Sequence, residues 1–400
     1  MKKIYVTKYA QSRFGNLGNY PIESMIQDAG SKELDDIDRS TIDHIAIAGL
    51  LTPTLNDQLL IAGLVAMDPV YTGKSIRGVV NACDSGGLAV IDCATMILAG
   101  QARVGLAIGI EKMHPLEGKL DSKKVGEALG GAAHKEDLFP PFTFPHSFAV
   151  IMERYMKAYG YTEEEFAVIP PQFYENASYN PLAHMHKPKA PVTVQAVLDS
   201  YRLFAEPRLP LKLFECSQIS DGWARILVCD DEGLGRLRIP KSAATELAGF
   251  AQATDSLSMA SRGENLLKPV GARRAFAAAM EMAGARPKEL SLQEVHDCFS
   301  IMGPLSVETT GLAEPGQGLR YFMDGRARRD GECPINTSGG LIAKGHPISA
   351  TGVAMVGWVH QQLTGKVPPQ LQVTNARCGS TLNIGGPICS TVATVQRPVG

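Results

Sequence analysis

Asn81-Ala82-Cys83-Asp84-Ser85-Gly86-Gly87-Leu88 is the stretch on which the reading of this chain turns. A related stretch returns late in the chain as Asn336-Thr337-Ser338-Gly339-Gly340-Leu341 and runs on into Lys344-Gly345-His346-Pro347. Each has a polar entry, a Ser-Gly-Gly and then an apolar run of small residues, the pattern of a strand turning sharply into a buried helix. One copy carries a thiol at the turn. The other leads to an imidazole flanked by Gly and Pro. Such a duplication predicts one fold repeated in two halves, with a nucleophile in the first and its base in the second.

Around these turns the pattern is that of an α/β protein. Ile45–Gly49 and Gly78–Asn81 read as short strands, and Leu88–Ala99 is apolar nearly all round, as a buried central helix should be. Val104–Ile110 is a continuous apolar run, which suits a strand covered on both faces. Strand, helix and strand in that order imply a parallel sheet. Met1–Val6 reads as an edge strand. From Glu111 to Phe214 the chain turns rich in Pro, aromatic residues and His, as in Phe139-Pro140-Pro141-Phe142-Thr143-Phe144-Pro145-His146, and reads as an inserted loop domain, too long for a linker. Ser220–Cys229 should return to the first sheet. Leu247–Thr254 and Leu292–His296 then read as strands, Gly271–Ala283 and Val353–Leu363 as helices, and Leu371–Asn375 and Pro387–Val392 as closing strands. The expected domains are an N-terminal half over 1–112 and 214–242, an insertion over 113–213 and a C-terminal half over 243–400, with one sheet per half.

Bulk properties narrow the function. At 44% apolar and 20% charged residues the 400-residue chain is an ordinary globular protein, and a net charge of −2 gives no electrostatic case for nucleic acid or a membrane surface. No apolar stretch reaches the length of a membrane span. Eight cysteines without regular spacing point to free thiols in a reducing cytoplasm, and the lack of any Cys-x-x-Cys pair argues against an intrinsic metal site. Thr72-Gly73-Lys74-Ser75 looks like the tail of a phosphate loop, but Asp68 stands where that loop needs its first glycine.

Five cysteine and histidine positions stand out. Cys83 lies at a predicted helix entry, where backbone N–H groups and the helix dipole lower a thiol pKa, and the glycines behind it would let a substrate approach the backbone. His346 sits on a turn fixed by Gly345 and Pro347, with Asn336 and the Ser338-Gly339-Gly340 turn building the loop around it. His296-Asp297-Cys298-Phe299 ends a strand, where open α/β sheets place ligands, so His296 could hold an oxyanion and Cys298 could move a proton. Cys378-Gly379, with Asn383-Ile384-Gly385-Gly386, reads as another small-residue loop and offers a second proton carrier. Cys93, Cys216, Cys229, Cys333 and Cys389 read as structural. His114, His134, His146, His184 and His186 read as solvated loop residues.

Taken together, Cys83 with its turn, Cys216-Ser217-Gln218-Ile219-Ser220-Asp221-Gly222, His296-Asp297-Cys298-Phe299, and Asn336 through Gly352 resemble the thiolase family, along nearly the whole chain. Gly109-Ile110-Glu111-Lys112-Met113 and the His-Asp-Cys-Phe motif are similar to the sterol-carrier-protein-type and archaeal branch. The resemblance implies a duplicated five-layered α-β-α-β-α fold with an inserted loop domain. It implies an acyl-CoA acyltransferase that cleaves a 3-oxoacyl-CoA with coenzyme A through an acyl-Cys83 intermediate, coenzyme A being a co-substrate and no cofactor being covalently bound. His346 would activate Cys83. His296 and a water near Asn336 would bind the oxyanion, and Cys298 or Cys378 would protonate the leaving carbanion. Met113, Ser338, Gly339 and Gly385 would line the substrate and coenzyme A site. The family further implies a homodimer core, with the Met113 segment at the contact. In one branch, which includes the benzoylsuccinyl-CoA enzyme of anaerobic toluene breakdown, it implies a small zinc-ribbon/OB-fold partner subunit, for which Phe139–Pro188 is the candidate surface. The composition of the insertion suggests a bulky or aromatic acyl group. Asp84 departs from the family, which usually has a small residue there, and should raise the Cys83 pKa. A carbon–carbon synthase and a non-catalytic scaffold are the competing readings. A scaffold should have lost some of Cys83, His296 and His346.

Overall fold

The computed structural model describes residues 2–399. Its strands are β1 (Tyr5–Gln11), β2 (His44–Ala48), β3 (Ser75–Val79), β4 (Val104–Glu111), β5 (Gly222–Cys229), β6 (Thr245–Thr254), β7 (Leu292–Val295), β8 (Gly379–Gly385) and β9 (Ser390–Pro398). They are hydrogen-bonded in the order β3-β2-β4-β5-β1-β6-β9-β8-β7. β2 runs parallel to both β3 and β4, as the strand–helix–strand pattern predicts. β7 and β8 form the parallel pair of the second half.

The expectation of one sheet per half is corrected at one seam. β1 pairs with β6 through Tyr5↔Glu246 and Val6↔Thr245, which joins the two sets of strands into one hydrogen-bonded sheet. The opening strand is therefore interior, not an edge, and Tyr5 and Val6 are fully buried. The helices Ser85–Leu98 and Ile348–Leu363 lie against each other between strands of the two halves. Val270–Ala283 covers β6 and β9, and Ile22–Ser31 covers β4 and β5. The result is an α-β-α-β-α layering.

The glycines of the first turn serve this central helix pair. A Cβ on Gly86 would lie 2.1 Å from Ser349 O, and one on Gly352 would lie 2.2 Å from Gly87 N. Both are within van der Waals radii, so the two helices can touch backbone to backbone only as glycine. The expected role in admitting substrate to the backbone falls away. The two Ser-Gly-Gly segments also differ. The first opens a helix directly at Ser85. The second forms a single π turn over Gly340–Lys344, with φ of 107° at Gly339 and 60° at Gly340, and the helix begins only at Ile348.

Near the C-terminus three sequence readings change. Pro368 and Pro369 lack N–H donors, so Leu371–Asn375 is not a strand but follows a 3-10 turn over Pro369–Leu371. Cys378–Gly386, read as a loop, contains the fully buried β8. Gly386–Cys389 is the hairpin turn, so the last strand starts at Ser390. Between β4 and β5 the chain forms the helices Thr143–Tyr159 and Ile169–Tyr179, among others. Their Phe148, Tyr155 and Phe173 share one core with Val295, Phe299, Ile335 and Leu341 of the second half. Among the described residues no helix is long and apolar enough to cross a membrane.

Candidate active site

Cys83 stands between the end of β3 and the helix that starts at Ser85. The turn is tied by Asn81 N–H to Ser85 Oγ (2.7 Å) and by Ser85 Oγ–H to Ala82 O (2.6 Å), with Ala82 at φ 51°. Burial pushes the thiol up to about 12, with the adjacent Asp84 as the next cause, while the Gly386 N–H opposes them. The expectation that the helix entry lowers this pKa is thus corrected, because desolvation outweighs the dipole. The reactive thiol depends on a base.

Asp84 is completely buried. One oxygen accepts from Ser390 Oγ (2.7 Å) and Asn81 Nδ2 (3.1 Å). The other, Oδ1, has no partner and faces Gly385, where a Cβ would sit 2.4 Å away. Burial raises this carboxyl to about 7. Its neighbours in charge are Cys83 and Cys389, with Arg262 beyond Cys389 and Glu111 on the far side of Cys83. Ionisation of Asp84 above pH 7 works against the Cys83 thiolate. Alkylation of Cys83 should therefore rise less steeply with pH above 7 than a single thiol would. Asp84→Asn should remove that inflection and speed alkylation severalfold at pH 8, read as iodoacetamide rates from pH 6 to 9. An unchanged profile in Asp84→Asn would refute the coupling.

His346 and His296 approach Cys83 from the second half. Their rings are 5.0 Å apart and nearly perpendicular, at 86°. A donor atom from each of Cys83, His296 and His346 lies within 4.8 Å of the others. The hydrogen bonds around the rings set opposite tautomers. Thr351 Oγ1 donates to Pro347 O (3.1 Å), so it accepts from His346 Nδ1–H (2.7 Å), leaving the Nε2 lone pair free. Asn383 is oriented by Gly87 N–H to Oδ1 (3.3 Å) and by Nδ2 to Cys83 O (3.2 Å). Its Nδ2 therefore donates to His296 Nδ1 (3.1 Å), and His296 carries its proton on Nε2. One ring is a base and the other a donor. Residue types alone would suggest a metal centre, but His296 offers an N–H where a ligand needs a lone pair. Burial holds both rings neutral, His346 down to about 3 with the Lys344 charge adding to it, and His296 well below its usual range.

The remaining candidates separate by position. Cys298 is nearly buried, beside Phe299, whose ring stacks on Phe148 at 4.7 Å. Burial pushes its thiol well up, and the next cause is Cys83, which places the two thiols in one electrostatic neighbourhood. Cys378 sits at the other end of β8, where Gly379 pairs with Leu292 at the start of β7. At ~3.3 Å per residue it is roughly 13 Å along the strand from Leu382, the residue that pairs with the end of β7. Its charge neighbours are Arg397 and Glu289. Cys378 is thus not part of the site.

Asn336 is also corrected. Its Oδ1 accepts from Val295 N (2.7 Å) and its Nδ2 donates to Val295 O (3.0 Å), so its amide clamps the loop to β7 in place of holding an oxyanion water. Ser338 bonds Glu294 through both its N–H (3.1 Å) and its hydroxyl, and a Cβ on Gly339 would meet Ala177, so both shape the loop. Met113 is only 5% exposed, packed with Leu51, Val125 and Ile348 beside Cys83, and offers no surface to another subunit. His114 is buried on Asp221, not solvated, at 3.1 Å. Lys112 forms a buried ion pair with the same Asp221 at 2.7 Å. Sequence reading gave no role to Asn383, and nothing local signals one, because its partners come from two distant segments, the Cys83–Gly87 turn and His296. The same is true of Lys344, whose fully buried ammonium presses on His346.

A half-buried cysteine, a neutral imidazole base and an imidazole N–H donor in a duplicated α/β fold define a cysteine-dependent acyltransferase. Comparison with known families gives the particular one. "Thiolase, N-terminal domain" matches residues 3–206 and "Thiolase C-terminal domain-like" matches 251–397. The chain is 34% identical to an acetyl-CoA acetyltransferase of Methanothermobacter thermautotrophicus, over 96% of this chain and 97% of that protein. The chain belongs to the thiolase family. It is also 27% identical to the benzoylsuccinyl-CoA thiolase subunit BbsB of Thauera aromatica, over 92% and 90% of the two chains. The solved Ltp2-ChsH2(DUF35) aldolase shares the fold at a TM-score of 0.75 and 18% identity, covering 99% of this chain and 98% of that one.

Proposed function

We propose that this acyl-CoA acyltransferase cleaves a 3-oxoacyl-CoA with coenzyme A as co-substrate, and that the opposed tautomers of His346 and His296 divide the work. His346 Nε2 takes the Cys83 proton as sulfur attacks the 3-oxo carbon. His296 Nε2–H donates to the oxyanion that forms. Its collapse breaks the carbon–carbon bond, leaving the acyl group on Cys83 and an acetyl-CoA-type carbanion that Cys298 protonates. The coenzyme A thiol then gives its proton to the Cys298 thiolate and attacks the thioester, and Cys83 leaves as a thiolate that takes its proton back from His346. A synthase would run these steps in reverse. The intact Cys83–His296–His346 trio speaks against a scaffold.

The observation that carries this reading is the tautomer pair, since one ring must accept and the other donate. It is tested by offering straight-chain, branched and aromatic 3-oxoacyl-CoA thioesters with and without coenzyme A. Thiolysis yields two acyl-CoA products only when coenzyme A is present. Product beyond one equivalent per active site without it, or none with any thioester when it is present, refutes thiolysis. For the proton carrier, Cys298→Ala should lower carbon–carbon cleavage by about 10²-fold or more while Cys83 still acylates, and Cys378→Ala should leave cleavage near wild type. Loss only in Cys378→Ala would reverse the assignment.

The finer reading extends to a bulky or aromatic acyl group, such as benzoylsuccinyl-CoA, supported by the likeness to the Thauera protein. It includes the three-part domain division and a homodimer core formed along the terminal strand β3, with Val80, 61% exposed, just past its end. A small zinc-ribbon/OB-fold subunit is the proposed partner. The "subunit" in the name of the Thauera protein and the DUF35 chain in the aldolase title support it. Most aromatics of Phe139–Pro188 pack inward, which leaves Phe139, Tyr179 and Leu182 as the apolar part of that surface.

A further inference from the structure

We propose that Asn383 is a positioning residue that holds His296 in its neutral Nε2–H form, making it an oxyanion donor and not a second base. The inference rests on the thiolytic reading of His296 above. Asn383 is 1% exposed, as is His296. Its amide cannot turn over without losing two bonds, from Gly87 N–H to its oxygen and from its nitrogen to Cys83 O. The face it shows to His296 Nδ1 is therefore an N–H, 3.1 Å away. A proton on Nδ1 would set two donors against each other in a dry site, which disfavours both the Nδ1–H tautomer and the imidazolium. The other titratable groups facing the ring are His346, with its free Nε2, and the Cys83 thiol, with Cys298 two residues along the chain. None of them hydrogen-bonds Nδ1, whose partner is the Asn383 amide, so the choice of tautomer falls to Asn383. The same amide holds the Cys83 turn through Cys83 O and Gly87, so one side chain from β8 sets the donor and its distance from the nucleophile.

The test reads protonation directly. In the full chain with ¹⁵N-labelled histidine, with His296 assigned through His296→Gln, long-range ¹H–¹⁵N spectra should show Nε2 protonated and Nδ1 bare. Asn383→Asp puts an acceptor at Nδ1 and should give a His296 protonated on both nitrogens at pH 7. Asn383→Leu keeps the volume and removes the donor. It should lower turnover about tenfold or more and leave iodoacetamide alkylation of Cys83 within about twofold, because His346 is untouched. An Nδ1–H tautomer in the wild type, or the same His296 protonation in Asn383→Asp, overturns the proposal. So does an equal loss of turnover and alkylation in Asn383→Leu, which would mark a purely structural residue. If the leucine variant does not fold, the wild-type and Asn383→Asp spectra decide. A wild type that turns over no acyl-CoA would refute the thiolytic reading while leaving the tautomer measurement intact.

Discussion

Cys83→Ala is expected to lower carbon–carbon cleavage by about 10⁴-fold or more, since the covalent intermediate of the proposed steps forms on its sulfur. The fold should survive. The side chain packs against the Leu51, Met113, Val125 and Ile348 cluster, and alanine removes one sulfur from a half-buried position. A cost of about 1 kcal/mol in stability is expected, so a melting curve close to wild type should accompany the loss of turnover. Cys298 and Cys389 are the other thiols in the electrostatic neighbourhood of Cys83, and neither has a covalent role in the proposed steps. Turnover within tenfold of wild type in Cys83→Ala would show a different nucleophile.

His346→Ala is expected to lower turnover by about 10²- to 10⁴-fold and to slow Cys83 alkylation at pH 7 to a similar degree. The reason is the thiol itself. With its pKa pushed up to about 12, only about one Cys83 in 10⁵ would be thiolate at pH 7 without help. The His346 imidazole, held down to about 3, is neutral and ready as a base across the working range, so an acid limb in the pH–rate profile does not come from its protonation. His296→Ala should instead cost about 10²- to 10³-fold in turnover and leave alkylation nearly unchanged. Measuring both rates in both variants separates the roles. Equal slowing of alkylation by the two substitutions would contradict the tautomer assignment.

The site residues that sequence reading placed together are those carried by local motifs. Cys83 and His346 each sit on a turn whose glycines and prolines can be read directly, and His296 and Cys298 share one motif at the end of β7. What the sequence misjudged arises from contacts between distant segments. Cys378 looked like a proton carrier from its Cys-Gly context, but a residue's place along a strand decides which end of the sheet it faces, and its strand was read as a loop. Asn336 looked catalytic because it neighbours His346, whereas the Val295 backbone takes its amide. The helix-entry reading misjudged the direction of the Cys83 pKa because burial is not visible in sequence, whereas the expectation that Asp84 raises it holds. The central helices and most strands, though not β8, followed from hydrophobic patterning. Their union into one sheet rests on the short β1–β6 seam, which no periodicity encodes.

The central claim is an acyl group carried on Cys83. The most direct test is mass spectrometry of the intact chain and of its peptides after brief exposure to an acyl-CoA thioester, with and without a chase of free coenzyme A. The account predicts one acyl adduct, on the peptide containing Cys83, discharged by the chase and missing from Cys83→Ala. An adduct on Cys298 or any other residue, or turnover without any adduct that coenzyme A can discharge, would contradict it.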